Sequence, residues 1–313
     1  MKLVSLLVVL TPNMSDLESA IRLSPESLLE RTQSLTVLHL SVGWPPGLSF
    51  LLGTNANLLL DTPDDISKTT RGRVSLSWPF SYASANHCVQ SLDLLLEAGC
   101  NLYPKDPERG KEIGALSCAL EVTSTECAEV FARHMARRRW ELFALARSNI
   151  VRIQSSFSRL GISENMRKEL IATIVATEHR SDPGQLGSDA TEPVQPVCVS
   201  EHDTNTFVVL ALDQVEIQVP VSLRPSELVD HDIYQLLELP FVFFPIFERH
   251  GFAGYNEPNK YGLRPIMNSF RSSYCLSRAS LGKEIQDVLP WLIQHSCLDT
   301  RPARNQKQPR RAS

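Results

Sequence analysis

The stretch from Leu35 to Gly53, LTVLHLSVGWPPGLSFLLG, decides the fold. Thr36 is a residue type that caps the exposed N–H groups of a helix start, and an aliphatic pair and His39 follow it directly. After Gly43 and the pair Pro45-Pro46, Leu48, Leu51 and Leu52 recur at steps of three and four, the spacing of one helical face. Read alone, His39 invites a role as general base, with Ser41 or a distant Cys as nucleophile. Repetition argues for scaffolding instead.

Leu38, Leu76 and Leu116 each open a short apolar segment, at intervals of 38 and 40 residues. Behind the second comes a helical set, Val89, Leu92, Leu95 and Leu96, and behind the third another, Cys127, Val130, Phe131, His134 and Met135. Gly99, just past LLLEA, is placed where a left-handed residue ends a helix, and Gly53 holds the corresponding place in the first unit. A fourth copy follows much later, as YGLRPIM from Tyr261 to Met267 and then Ile285, Val288, Leu289, Leu292 and Ile293. A helix pair cannot bury its apolar face alone, so each unit is expected to lean on its neighbours.

These segments resemble ankyrin repeats, whose first helix begins Thr-Pro-Leu-His and whose second ends Leu-Leu-x-x-Gly-Ala. The corresponding residues are Thr36-Val37-Leu38-His39, Val74-Ser75-Leu76-Ser77, Gly114-Ala115-Leu116-Ser117 and Arg264-Pro265-Ile266-Met267. The aliphatic third position is kept in all four, the Thr only at Thr36 and the Pro only at Pro265. The order of units is similar to that of divergent ankyrin proteins of filamentous fungi, over residues 34–138 and 240–299. The resemblance implies a mostly α fold, an irregular ankyrin-type helical solenoid in two blocks with a helical spacer and a disordered insert. It also implies structural roles for Thr36, His39, Gly99 and Pro265, with His39 tying neighbouring turns through both ring nitrogens. Losing the cap and the Pro is expected to cost each degenerate unit about 1 kcal/mol or more.

The chain divides accordingly. Residues 14–138 hold the N-terminal degenerate repeats, 139–178 a helical spacer broken at Gly161, and 179–206 a polar, Pro-punctuated insert without periodicity. Residues 207–300 form a C-terminal helical segment with one ankyrin-like repeat, and 301–313 a disordered basic tail. Within the C-terminal segment, Phe207–Asp213 reads as a helix leading into an extended piece, and 226–250 as two short helices broken around Pro240 and Pro245.

Composition excludes several classes. No apolar run approaches the roughly 18 to 20 residues of a membrane span. The net charge is -4, and because Arg301, Arg304, Lys307, Arg310 and Arg311 bring five positive charges without an acid, the rest of the chain stands at -9. An acidic body argues against nucleic acid as partner. The run ARHMARRRWELFALAR, with Arg133, Arg137, Arg138, Arg139 and Arg147, then reads as a solvated helix face, Glu129 and Glu141 pairing with it in part. The seven cysteines are widely spaced and include no CxxC, a pattern of reduced, core-packed thiols. His87 beside Cys88, with Cys100 further on, comes nearest to a ligand cluster but lacks paired spacing. The start MKLVSLLVVL looks like the front of a secretory signal with a poor cleavage context, so a cytoplasmic or nuclear location is expected.

No GxGxxG, GxxxxGK[ST], HExxH or GxSxG occurs, which leaves no local signature of a nucleotide, protease or hydrolase site. With no such signature, the ankyrin resemblance implies the expected function, a non-catalytic, monomeric scaffold, without cofactor or metal, for a protein partner not identified by sequence. Trp44, Trp78, Arg71, Arg73, Tyr103, Tyr255 and Lys260 are the candidate contacts, the last five of them within the turns 57–73, 103–112 and 254–260. Trp44 and Trp78, each followed by Pro, are expected in inter-helix turns, first as packing devices and as contacts if exposed. Two alternatives stand beside this reading: an enzyme or effector built on the helical middle, and a truncated, decayed repeat protein.

Overall fold

The computed structural model describes residues 12–32, 34–64, 78–105, 115–176, 201–225, 240–252, 290–291 and 294, and every structural statement concerns these. They are mostly helical. No multi-residue strand occurs among them.

Helix α1, Met14–Leu23, starts where Asn13 Oδ1 accepts the Ser15 N–H at 2.9 Å, and it buries Leu17 and Ala20. Three helix pairs follow. The first is α2, Val37–Leu40, with α3, Pro45–Leu52; the second is α4, Pro79–Ala85, with α5, Val89–Glu97. The third is α6, Ala115–Glu121, with α7, Thr125–Ser148. Both α3 and α4 have Pro at their first position, where its missing N–H would have no intrahelical partner and its ring presets φ. The long α7 is capped by Ser124, whose Oγ accepts the Cys127 N–H at 3.3 Å.

The pairs associate like with like. First helices pack on first helices, α2 on α4 and α4 on α6, and second helices on second helices, α3 on α5 and α5 on α7. One core runs through all three pairs, with Trp78, Phe80 and Phe131 fully buried and Phe80 edge-on to Phe131 at 6.3 Å. Like-with-like contact also explains why short helices suffice here. A four-residue helix has almost no stability of its own, and α2 persists because Val37, Leu38 and His39 are buried against its neighbours.

A second core lies at the far end of α7. There Leu142, Phe143 and Ala146 meet Ile153 and Phe157 of α8, Ile150–Arg159, and Leu170 and Ile174 of α9, Glu164–Ala176. Val208, Val209, Ala211 and Leu212 of α10, Glu201–Gln214, complete it. Finally α11, Phe244–Arg249, packs on α7, and its Phe244, Ile246 and Phe247 belong to the first core.

Several expectations are corrected. The second unit opens at Trp78-Pro79-Phe80, not at Leu76, which lies outside the described residues together with all of Val74–Ser77. Trp78 consequently heads a first helix, whereas Trp44 does sit in the turn between α2 and α3, so the two Trp-Pro pairs are not equivalent positions. The boundary drawn between 138 and 139 falls inside the continuous α7. Residues 201–206, placed in the insert, begin α10; 179–200 lie outside the described residues. Gly99 has φ +86, the left-handed conformation expected of it, but Gly53 has φ -77 and ends α3 without one. At the C-terminal end, α11 adds to the first core instead of founding a block apart from it. The fourth copy, the basic tail and the opening apolar run all lie outside the described residues.

Candidate functional site

Polar contacts of the described chain close a helix start within the first pair and join successive pairs. His39 is 1% exposed and its Nδ1 faces the start of its own helix, 3.4 Å from the Thr36 backbone N and 2.8 Å from Thr36 Oγ1. A backbone N–H can only donate, so Nδ1 is the accepting nitrogen and the neutral ring carries its proton on Nε2. The ring also lies edge-on to Tyr82 of α4 at 6.0 Å. A buried imidazole held in this way closes a helix start, with no open lone pair on Nδ1 for base catalysis.

In the second pair the same place is occupied differently. Trp78 precedes α4 and cannot cap it as Thr36 caps α2, and Ser81 Oγ, at the place of His39, is buried without a hydrogen bond. Trp78 is instead buried in the core, with its indole Nε1 lacking a hydrogen bond. Its 1% exposure removes it from the candidate contacts, because a side chain buried in the core cannot meet a partner. Trp44 is half-buried and lies over Gly47, where an added Cβ would come within 2.1 Å of the indole. Tyr103 is half-buried against the first core, its N–H donating to Asn101 Oδ1 at 2.9 Å. Arg71, Arg73, Tyr255, Lys260 and Pro265 lie outside the described residues.

The seam between the second and third pairs is a ladder of contacts some forty residues apart in sequence. Ser84 Oγ, fully buried, lies 2.9 Å from the Ala119 carbonyl and 2.8 Å from Thr123 Oγ1. Asp93 Oδ1 accepts from Arg133 at 2.7 Å and from His134 Nε2 at 2.5 Å, and Arg138 donates to the Leu96 carbonyl at 3.0 Å. Between the first and second pairs, Ser91 Oγ donates to the Val42 carbonyl at 2.5 Å, and the Asn101 N–H to Asp61 at 2.6 Å. Sequence reasoning missed these residues. Only one signal was present, Asp93 standing forty residues before Arg133 on the corresponding helix of the next unit.

Electrostatics sets the protonation of this ladder. Burial would raise the Asp93 carboxyl, but hydrogen bonds from His134 and Arg133 outweigh it and hold the group below its ordinary value. Burial depresses His134, and the attraction of Asp93 only partly opposes it. The pair is therefore a neutral imidazole donating Nε2–H to an ionised carboxylate, with its buried Nδ1 unpartnered.

The arginine run is a solvated face only in part: the side chains of Arg133 and Arg137 are 47% and 38% exposed, whereas Arg138 is buried. Arg133 and Arg138 tie α7 to α5, Arg137 lies 3.3 Å from Glu141, and Arg139 donates to the Gly251 carbonyl at 3.1 Å while stacking over Phe252. Glu129 pairs outside the run, with Arg249 at 2.8 Å and His250 at 2.6 Å, clasping α11 to α7. Trp291 adds to that clasp, lying edge-on to Phe244 and donating to Glu248.

No group of three or more His, Cys, Asp or Glu among the described residues is placed to hold a metal ion, and none of their helices is long and apolar enough to cross a membrane. Cys88, Cys100, Cys118 and Cys127 are free thiols; Cys118 is exposed and so departs from the core-packed expectation. Burial pushes the Cys100 thiol up to about 12, which keeps it protonated and unreactive. No protein-family model, curated protein or solved structure matches the chain.

Proposed function

We propose that the chain is a protein-binding scaffold of divergent ankyrin type, a stack of helix pairs without a catalytic centre of its own. The observation that carries this reading is the like-with-like packing of α2, α4 and α6 on one side and α3, α5 and α7 on the other. In an ankyrin array, successive copies of one unit stack in that order. The shifted start of the second unit strengthens the reading, because Trp78-Pro79-Phe80-Ser81 puts Pro and an apolar residue where the family has Thr-Pro-Leu-His. The ending Leu95-Leu96-Glu97-Ala98-Gly99-Cys100 follows at the expected place, with Gly99 left-handed.

Such a protein acts by presenting side chains on protruding turns fixed by a rigid stack. Leu58, 72% exposed on the 3-10 turn Asn55–Leu59, and Tyr103 in the corresponding region after α5 are the described residues best placed to do so. The partner is a protein, and no cofactor is required.

Cross-linked affinity capture with the full chain tests this, comparing wild type with the double substitution Leu58→Asp, Tyr103→Ala. The melting temperature of each is followed in parallel, and Leu58→Asp alone serves as the variant that leaves the core untouched. At least one captured protein is expected to fall by about tenfold or more in the folded double variant, the size of a lost anchor residue. Equal recovery of every captured protein by wild type and double variant would overturn the proposal.

A further inference from the structure

The seam between α5 and α7 also brings two thiols together. Along it, direct hydrogen bonds join Ser84 to Thr123 before the start of α5 and Asp93 to Arg133 within it, at sequence offsets of 39 and 40. Cys88, the residue that heads α5, and Cys127, in the first turn of α7, lie between those two contacts at the same offset of 39. Both belong to one apolar cluster, Cys127 fully buried and Cys88 half-buried at its edge. Packed helix axes lie about 8–10 Å apart and Cα atoms about 2.3 Å off each axis, so residues that face each other directly have Cα atoms about 3.4–5.4 Å apart, a range that overlaps disulfide geometry. A disulfide requires about 4.4–6.8 Å.

We propose that Cys88 and Cys127 form a disulfide under peroxide, a reversible covalent lock between the second and third helix pairs. Peroxide reaches the half-buried Cys88 first. The Cys88 thiolate attacks one peroxide oxygen, the O–O bond breaks, and the second oxygen leaves as hydroxide, so that sulfur is oxidised to a sulfenic acid by two electrons. The Cys127 thiolate then attacks that sulfur; the S–O bond breaks, the S–S bond forms, and hydroxide leaves to take up a proton as water. In the resting state the Cys88 thiol is 3.5 Å from the Asn86 carbonyl, and burial first, Cys127 second, push it above its ordinary value. The lock is therefore slow to close near neutral pH and closes faster as pH rises through and beyond 9.0.

Treatment of the full chain with hydrogen peroxide, followed by alkylation and non-reducing peptide mapping, tests the assignment. The expected result is a linked peptide containing Cys88 and Cys127, loss of both of those thiols and a higher melting temperature, all reversed by dithiothreitol. Cys88→Ser abolishes the linked peptide and leaves Cys127 a thiol, and Cys118→Ser leaves the link intact. Cys88 joined to any other cysteine, or still a thiol once the exposed Cys118 is fully oxidised, would overturn the proposal.

Discussion

Ser84→Ala is the sharpest probe of the stack. Its hydroxyl is fully buried on α4 and contacts the next unit at two points, the Ala119 carbonyl at 2.9 Å and Thr123 Oγ1 at 2.8 Å. Alanine removes one oxygen atom and leaves almost no cavity, so the loss is polar. Each hydrogen bond contributes about 0.5–1.5 kcal/mol net, and a buried acceptor left bare costs about 1–3 kcal/mol, which places the change near 2 kcal/mol. For a folded unit of roughly 150–250 residues that lowers the melting temperature by about 4–8 °C. Urea unfolding followed by circular dichroism would measure it, with Ser155→Ala as comparison, because Ser155 Oγ is exposed and bonds only to Arg152 within its own helix. A double-mutant cycle with Thr123→Val should return a coupling of about 0.5 kcal/mol or more, as contacting residues do. If Ser84→Ala stays within about 0.5 kcal/mol of wild type, the seam between the second and third pairs does not hold the stack and the reasoning fails.

Two further outcomes follow from the same geometry. His134 has a folded-state pKa depressed below its ordinary 6.5, so the stability it contributes is present above that value and declines as pH falls below it; His134→Gln, which keeps a donor for Asp93, should flatten the melting temperature just below pH 6.5. Gly99→Ala should lower stability by about 1 kcal/mol or more at φ +86, whereas Gly53→Ala at φ -77 should be close to neutral, a contrast read from a pair of thermal melts.

Much of the helical content could be read from spacing. Leu92, Leu95 and Leu96 recur on one face because α5 has one buried face, and the Gly99 stop is chemically specific. The opening of the second unit was misplaced for a physical reason. Val74-Ser75-Leu76-Ser77 copies the apolar rhythm of a start, but the decisive signal was Pro79 at the first helical position, with Trp78 burying itself where a cap would stand. Local pattern could not reveal that one helix serves two cores, because the two ends of α7 differ only in which neighbour covers them. Nor could it place the arginine run, whose partners Asp93, Leu96 and Gly251 lie some forty to a hundred residues away. The start of α10 was hidden in a different way, since the polar residues Glu201–Thr204 carry no apolar rhythm, and the fully buried apolar residues of the helix begin only at Val208.

The continuous α7 constrains how this chain can change in length. Its 24 residues reach about 36 Å, with the first core gripping one end and the second core the other. One residue inserted between 137 and 141 would turn the second core by about 100° and move it about 1.5 Å, pulling Leu142, Phe143 and Ala146 off the partners they meet in α8, α9 and α10. Insertion of seven residues brings the phase back to within about 20°. Length in this short span is thus held in phase by two cores at once, and tolerated changes there should come as whole helical turns.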